Sequence, residues 1–171
     1  RAFLSVSAMA LGGMLMRMES SAGGTLERRI PKSGEPLPAV GLGTWQAFDV
    51  AGDARGMAEA KEALKVLVEL GGRVIDSSPM YGSAEAVTGQ LAAELGAQAK
   101  LFVATKVWTS GKQAGVRQME DSMRKLRVER LDLMQVHNLS DVQTQRATLR
   151  DWKAAGRIRY LGVILYDADR I

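Results

Sequence analysis

The 171-residue sequence contains no cysteine and a single histidine, His137. The missing cysteines exclude disulfides, thiolate nucleophiles, cysteine-ligated metals and a cysteine-linked lipid anchor. One histidine excludes a His-rich metal site, so no metal is expected. No run of five or six like charges occurs, and no basic patch is interleaved with aromatics. With a net charge of only +4, nucleic acid is not an expected partner. The mostly apolar stretch Ala2 to Met16 has 15 residues and is interrupted by Gly12 and Gly13. It is too short to span a bilayer comfortably, so no membrane partner is expected of the mature chain.

That stretch matches the apolar region of an export signal instead. Arg17 follows it, and Ser20-Ser21-Ala22 offers small residues for a cut before Gly23. Arg1-Ala2-Phe3-Leu4 resembles the second half of a twin-arginine signal. Residues 1–24 are therefore read as a signal remnant and 25–171 as one domain, which implies a periplasmic protein. The alternative is a cytoplasmic protein with an N-terminal helix or tail.

Beyond Leu26 a hairpin is predicted, with Arg28-Arg29-Ile30 and Leu37-Pro38-Ala39 flanking the turn formers Pro31 to Glu35. A short strand from Val40 to Thr44 follows. Then strands and helices alternate. Helices are predicted over Ala54 to Leu70, from Ser83 to Leu95, from Ser110 past Leu126 and from Ser140 to before Gly156, with Ser83, Ser110 and Ser140 as N-caps. Another helix is predicted from Asp167 onward. The strands end at Trp45, Asp76, Lys106, His137 and about Leu165, at intervals of 31, 30, 31 and 28 residues. Such a βα repeat requires a parallel sheet with right-handed crossovers. A doubly wound sheet and a (β/α)8 TIM barrel both fit. Gly41-x-Gly43 lacks the third glycine of a dinucleotide fingerprint, and polar residues close several successive strands, as on the active face of a barrel. The expected fold is α/β: an incomplete barrel of an N-terminal hairpin and about five βα units.

If strands two, three and four are neighbours, Asp76, Lys106 and His137 meet at one mouth, and Tyr81 reaches in from the loop after strand two. An ammonium near a phenol is expected to lower its pKa. Asp76 would hold Lys106 charged, Tyr81 would serve as general acid, and neutral His137 would orient a carbonyl. The set has no nucleophile, metal or electron source, so a nicotinamide hydride donor is implied.

The sequence resembles the aldo-keto reductase family. The resemblance rests on Gly41-Leu42-Gly43-Thr44-Trp45, on Val74-Ile75-Asp76 with Met80-Tyr81-Gly82, on Ala104-Thr105-Lys106, and on Leu131-Asp132-Leu133-Met134-Gln135-Val136-His137-Asn138. It covers about residues 28 to 166 and implies NAD(P)-dependent reduction of aldehydes or ketones. It further implies Tyr81 as proton donor, Lys106 and Asp76 tuning it, and His137 positioning the carbonyl. Thr44 and Trp45 would line the nicotinamide end and Trp108 the substrate pocket. NADP(H) is expected over NAD(H), although the family's adenosine contacts come from later strands. Taken alone, each of Trp45, Trp108 and Trp152 reads as a core aromatic. One departure stands out. After Gly162-Val163 the family has a polar pair that holds the nicotinamide carboxamide, and here Ile164-Leu165 is apolar. That motivates a second reading, a non-catalytic cofactor-binding or regulatory barrel. A third is an inactive fragment, with the 171-residue chain expected to self-associate.

Overall fold

A computed structural model of the chain describes residues 25–165. The export segment and the helix expected from Asp167 lie outside the described residues. β1 (Glu27–Arg29) and β2 (Pro36–Pro38) form the antiparallel hairpin expected from the turn residues. Its turn is fastened to the start of the last strand. Glu35 accepts hydrogen bonds from the Tyr160 hydroxyl and the Arg159 guanidinium, and Arg159 also binds Asp132 at 2.6 Å. The Tyr160 bond and the Arg159 charge hold the Glu35 carboxyl below its ordinary range against the opposing effect of burial.

The βα rhythm is realised as β3 (Gly41–Gly43), α1 (Ala54–Glu69), β4 (Val74–Asp76), α2 (Ala84–Glu94), β5 (Phe102–Val107), α3 (Lys112–Leu126), β6 (Leu131–His137), α4 (Val142–Ala154) and β7 (Ile158–Ile164). Strands β3 to β7 form one parallel sheet in strict chain order. A doubly wound sheet reverses its strand order part-way, whereas a barrel adds each new strand on the same side. The order here is that of an incomplete barrel. Alternate residues of each strand face opposite sides. Ile75, Val103, Val107, Met134 and Val136 pack outward against the helices with Leu64, Leu91, Met119, Leu149 and Trp152. Val74, Asp76, Phe102, Ala104, Leu133, Gln135 and Ile164 line a hollow on the other face.

The helices sit where the apolar spacing placed them, but their caps differ from expectation. Ser83 precedes α2 without a side-chain cap bond, because its hydroxyl is bound to Asp49 at 2.8 Å. The N-cap of α3 is Gly111, at φ 85°, and that of α4 is Asp141, so neither Ser110 nor Ser140 caps. The Asp141 carboxylate instead accepts from the Gly111 amide at 2.7 Å, joining the two helix starts. Asp53, unremarked in the sequence, caps α1 by accepting from the Arg55 amide. Gly96 and Gly156, at φ 59° and 72°, close α2 and α4.

Helices α2 and α3 touch at Gly89. A methyl there would lie 2.2 Å from the backbone oxygen of Lys125. Gly89→Ala is therefore expected to destabilise the fold by about 1–3 kcal/mol, despite alanine's better helix propensity. Urea unfolding checks it; a stabilised variant would show that the helices separate freely.

Candidate active site

The strand register explains why the polar residues meet. Asp76, at the end of β4, pairs with Ala104, and Lys106 lies one inward-facing position further along β5. From there the Lys106 ammonium, completely buried, reaches Asp76 Oδ2 at 2.6 Å and the Ser77 carbonyl oxygen at 2.7 Å. Burying an ammonium is costly unless it is paired and hydrogen-bonded, and both conditions hold here. Asp76 Oδ1 accepts from Gln135 Nε2 at 3.1 Å, so both carboxylate oxygens are engaged. Asp76, at the end of an otherwise apolar strand, is the anchor of this network.

Tyr81 lies over the lysine, with Nζ 5.0 Å from the ring centroid. Its turn is held by the Tyr81 amide donating to Ser78 and the Ala84 amide donating to Tyr81. The hydroxyl makes no hydrogen bond to a described residue. His137 ends β6 with its ring perpendicular to Tyr81, the centroids 6.5 Å apart, and Nδ1 lies 3.4 Å from Ser78 Oγ. Trp45 flanks Tyr81 from the other side at 6.5 Å. Trp45, Met80, Tyr81, His137 and Asn138 line one cleft.

Two electrostatic results bear on chemistry. Burial, and then the Asp76 carboxylate, push the Tyr81 phenol above its ordinary value. The expectation of a lowered phenol is corrected: burial dominates, and the Lys106 ammonium is paired with Asp76 at 2.6 Å, so its charge acts on the phenol together with the carboxylate's. Burial, and then the Lys106 ammonium, push the His137 imidazole down, with Asp76 opposing them. His137 is thus a neutral hydrogen-bonding group at neutral pH. Its folded pKa lies below the unfolded value of about 6.5. The stability associated with the neutral ring is present above that value and is lost as pH falls through the folded one. Because the chain has one histidine, its ring proton resonances give the titration directly. A midpoint below the ordinary value is expected, and one above it would show that Asp76 dominates.

The other expected residues separate. Thr44 is completely buried, its hydroxyl donating to the Asp76 carbonyl oxygen and hydrogen-bonded to the Ser77 hydroxyl, so it stands behind the cleft wall. Trp45, 60% exposed, lies on the cleft. Trp108 is exposed too, on the loop after β5, where Gln118 holds its backbone, and it does not line the cleft. Of the three tryptophans only Trp152 is a core aromatic. Gln135, Ser78 and Asn138 were missed as individual site residues. Gln135 was discoverable: counting back by two from His137 puts it on the inward face of an otherwise apolar strand.

Among the described residues no cluster of three or more acidic or histidine side chains could hold a metal, and no helix is long and apolar enough to cross a membrane. Residues 39–171 match the model of the Aldo/keto reductase family. The chain is 35% identical over 144 residues to the methylglyoxal reductase YeaE of Escherichia coli (strain K12), covering 80% of this chain and 49% of that protein. It is 31% identical over 134 residues to the methylglyoxal reductase DkgA of Yersinia pestis, covering 76% and 46%. The chain thus spans about half the length of these curated relatives. Among solved structures it resembles an aldo-keto reductase from Klebsiella pneumoniae in complex with NADPH, at a TM-score of 0.72 and 29% identity over 84% of this chain and 51% of that one. It also resembles an aldo/keto reductase from the same organism in complex with NADP and acetate, at a TM-score of 0.69 and 31% identity over 80% and 48%. Sheet order, the buried lysine–aspartate pair beneath a tyrosine, and the sequence match over most of the chain agree: this protein belongs to the aldo/keto reductase family.

Proposed function

We propose that the full-length protein reduces small aldehydes or ketones to alcohols with NADP(H), using Tyr81 as general acid. The observation that carries this reading is the stack of Asp76, Lys106 and Tyr81 beside a neutral His137 on one cleft. A nicotinamide, when bound, supplies the hydride that no side chain can. The residues suit such a guest. Trp45 presents a broad exposed ring to the cleft, and the amide oxygen of Asn138 has no partner. Thr44, bonded to Asp76 and Ser77, fixes the strand ends behind it.

In this reading a neutral His137 donates a hydrogen bond to the substrate carbonyl and orients it. Tyr81 passes its proton to the carbonyl oxygen as negative charge grows there. Lys106 is placed to stabilise the phenolate as it forms, a lowering contribution that burial and the Asp76 carboxylate outweigh in the resting protein, so that Tyr81 stays protonated and ready to donate. Asp76 holds Lys106 and touches no substrate. Trp108 would contribute to the substrate pocket only if its loop turns toward the cleft. The names of two relatives suggest α-oxoaldehydes such as methylglyoxal as the first test substrates. The test is a carbonyl panel assayed on the full-length protein with NADPH and with NADH. NADPH-dependent turnover of at least one small aldehyde is expected, and no turnover with either cofactor would overturn the reading.

Ile164 supports a second reading, a barrel that binds cofactor without useful turnover. It pairs with His137 at the strand ends and lines the interior, where the family has a polar anchor for the carboxamide. Tight cofactor binding with no activity across the panel would favour it. Export rests on residues 1–24 alone; a tagged full-length protein found only in the cytoplasm would remove it.

A further inference from the structure

Behind the catalytic strand lies a second buried carboxyl group that the chemistry above does not use. Glu85 sits in the first turn of α2, four residues after Tyr81, and is 1% exposed. Its Oε1 accepts a 2.6 Å hydrogen bond from the Thr105 hydroxyl on β5. Its Oε2 is buried with no partner. The Ser122 hydroxyl faces this carboxyl from α3 and is likewise unpartnered, as is Thr88 one turn along α2. The nearest charges are both on α3. Lys125 is committed to Asp121 at 2.7 Å, and Asp121 repels a second anion. No cation makes an ion pair with Glu85 among the described residues.

A carboxylate this deeply buried, with one short hydrogen bond, a facing Ser122 hydroxyl and no ion-paired cation, is a poor ground state. A carboxylic acid is a good one, because its proton can be donated from Oε2 to a facing hydroxyl. Burial accordingly pushes the group above the ordinary carboxyl range, with the hydroxyls and Lys125 only partly opposing it. Position gives the group its consequence. Thr105 is adjacent to Lys106, and Glu85 belongs to the turn of helix that the Tyr81 loop enters. The 2.6 Å bond is therefore a side-chain strut between the two elements that set the Tyr81–Lys106 separation. The tight α2–α3 contact at Gly89 closes the same space from the side.

We infer that Glu85 is a neutral carboxylic acid at neutral pH and a positioning residue, holding the Tyr81 turn in register with the Lys106 strand. The inference rests on the proposed reductase chemistry for its kinetic consequence but not for its protonation state. Two measurements keep these apart. The first needs no turnover: the infrared carbonyl stretch of a protonated carboxyl is expected in the wild-type protein at neutral pH and absent from Glu85→Gln. In the same pair, the wild type is expected to lose melting temperature relative to Glu85→Gln as pH rises, because a carboxyl with a raised folded pKa contributes stability that fades through that pKa. No difference band, together with parallel melting curves, overturns the neutral-acid assignment.

The second measurement uses the full-length enzyme. Thr105→Val removes the hydroxyl at constant shape, and kcat is expected to fall about ten- to a hundred-fold, the scale of an ångström-sized misplacement. KM should stay near its wild-type value, and Thr105→Ser should restore kcat. Wild-type kcat in Thr105→Val overturns the positioning role. If the wild type reduces nothing, the reductase reading has failed while the infrared and melting results still decide the state of Glu85.

Discussion

Replacing Tyr81 with Phe in the full-length protein is expected to lower carbonyl reduction by about 10²- to 10⁴-fold, the contribution of a positioned general acid. The fold should barely register the change. The Tyr81 hydroxyl bonds to no described residue, while its ring keeps contact with Trp45 and His137 in the variant. Stability is expected within roughly 0.5 kcal/mol of wild type, and cofactor binding, followed by titration of cofactor fluorescence, should persist. The raised phenol pKa sharpens the expectation. A phenol held protonated well past neutrality is a full reservoir of acid, so the wild-type reduction rate should stay flat through the neutral range where a lowered pKa would make it decline. Unchanged turnover in Tyr81→Phe would remove Tyr81 from the chemistry and with it the proposed reaction.

Much of this site is legible in the sequence, for a physical reason. Parallel βα repeats bring strand ends together at one mouth, so residues spaced about thirty apart in sequence become neighbours. That sufficed to place Asp76 next to Lys106 and His137 beside Tyr81. What escaped depended on side-chain reach, which spacing does not encode. Ser110 and Ser140 have good capping chemistry, yet Gly111 and Asp141 occupy the cap positions because the Asp141 carboxylate bridges two helix starts distant in sequence. Ser83 is diverted by Asp49 in the same way. The Tyr81 phenol is raised rather than lowered because burial, and then the Asp76 carboxylate, dominate, and spacing encodes neither. Glu85 was overlooked because an acidic residue in the first turn of a helix ordinarily reads as a solvated dipole partner; only burial distinguishes it.

Asp76 and Lys106 form a pair, but removing each should have different costs. Asp76→Ala strands a completely buried ammonium whose remaining partner is the Ser77 carbonyl. The expected loss is about 3 kcal/mol, the low end for an uncompensated buried charge, because the Asp76 side chain is itself one-third exposed. Lys106→Met instead removes the buried charge and fills its volume with an apolar chain. Asp76 keeps Gln135 and some water, so the expected loss is below about 1 kcal/mol. Activity should show no such asymmetry. Both variants should lose roughly 10²-fold or more in reduction rate, since each removes the positive charge or its fixed position beneath the forming phenolate. The double variant settles the matter. If the cost of Asp76→Ala is an orphaned cation, adding Lys106→Met should recover most of the stability, a coupling of about 2 kcal/mol measured by urea unfolding of the four proteins. Additive losses would mean that the ion pair is incidental to the fold and that Lys106 is held by its carbonyl contact alone.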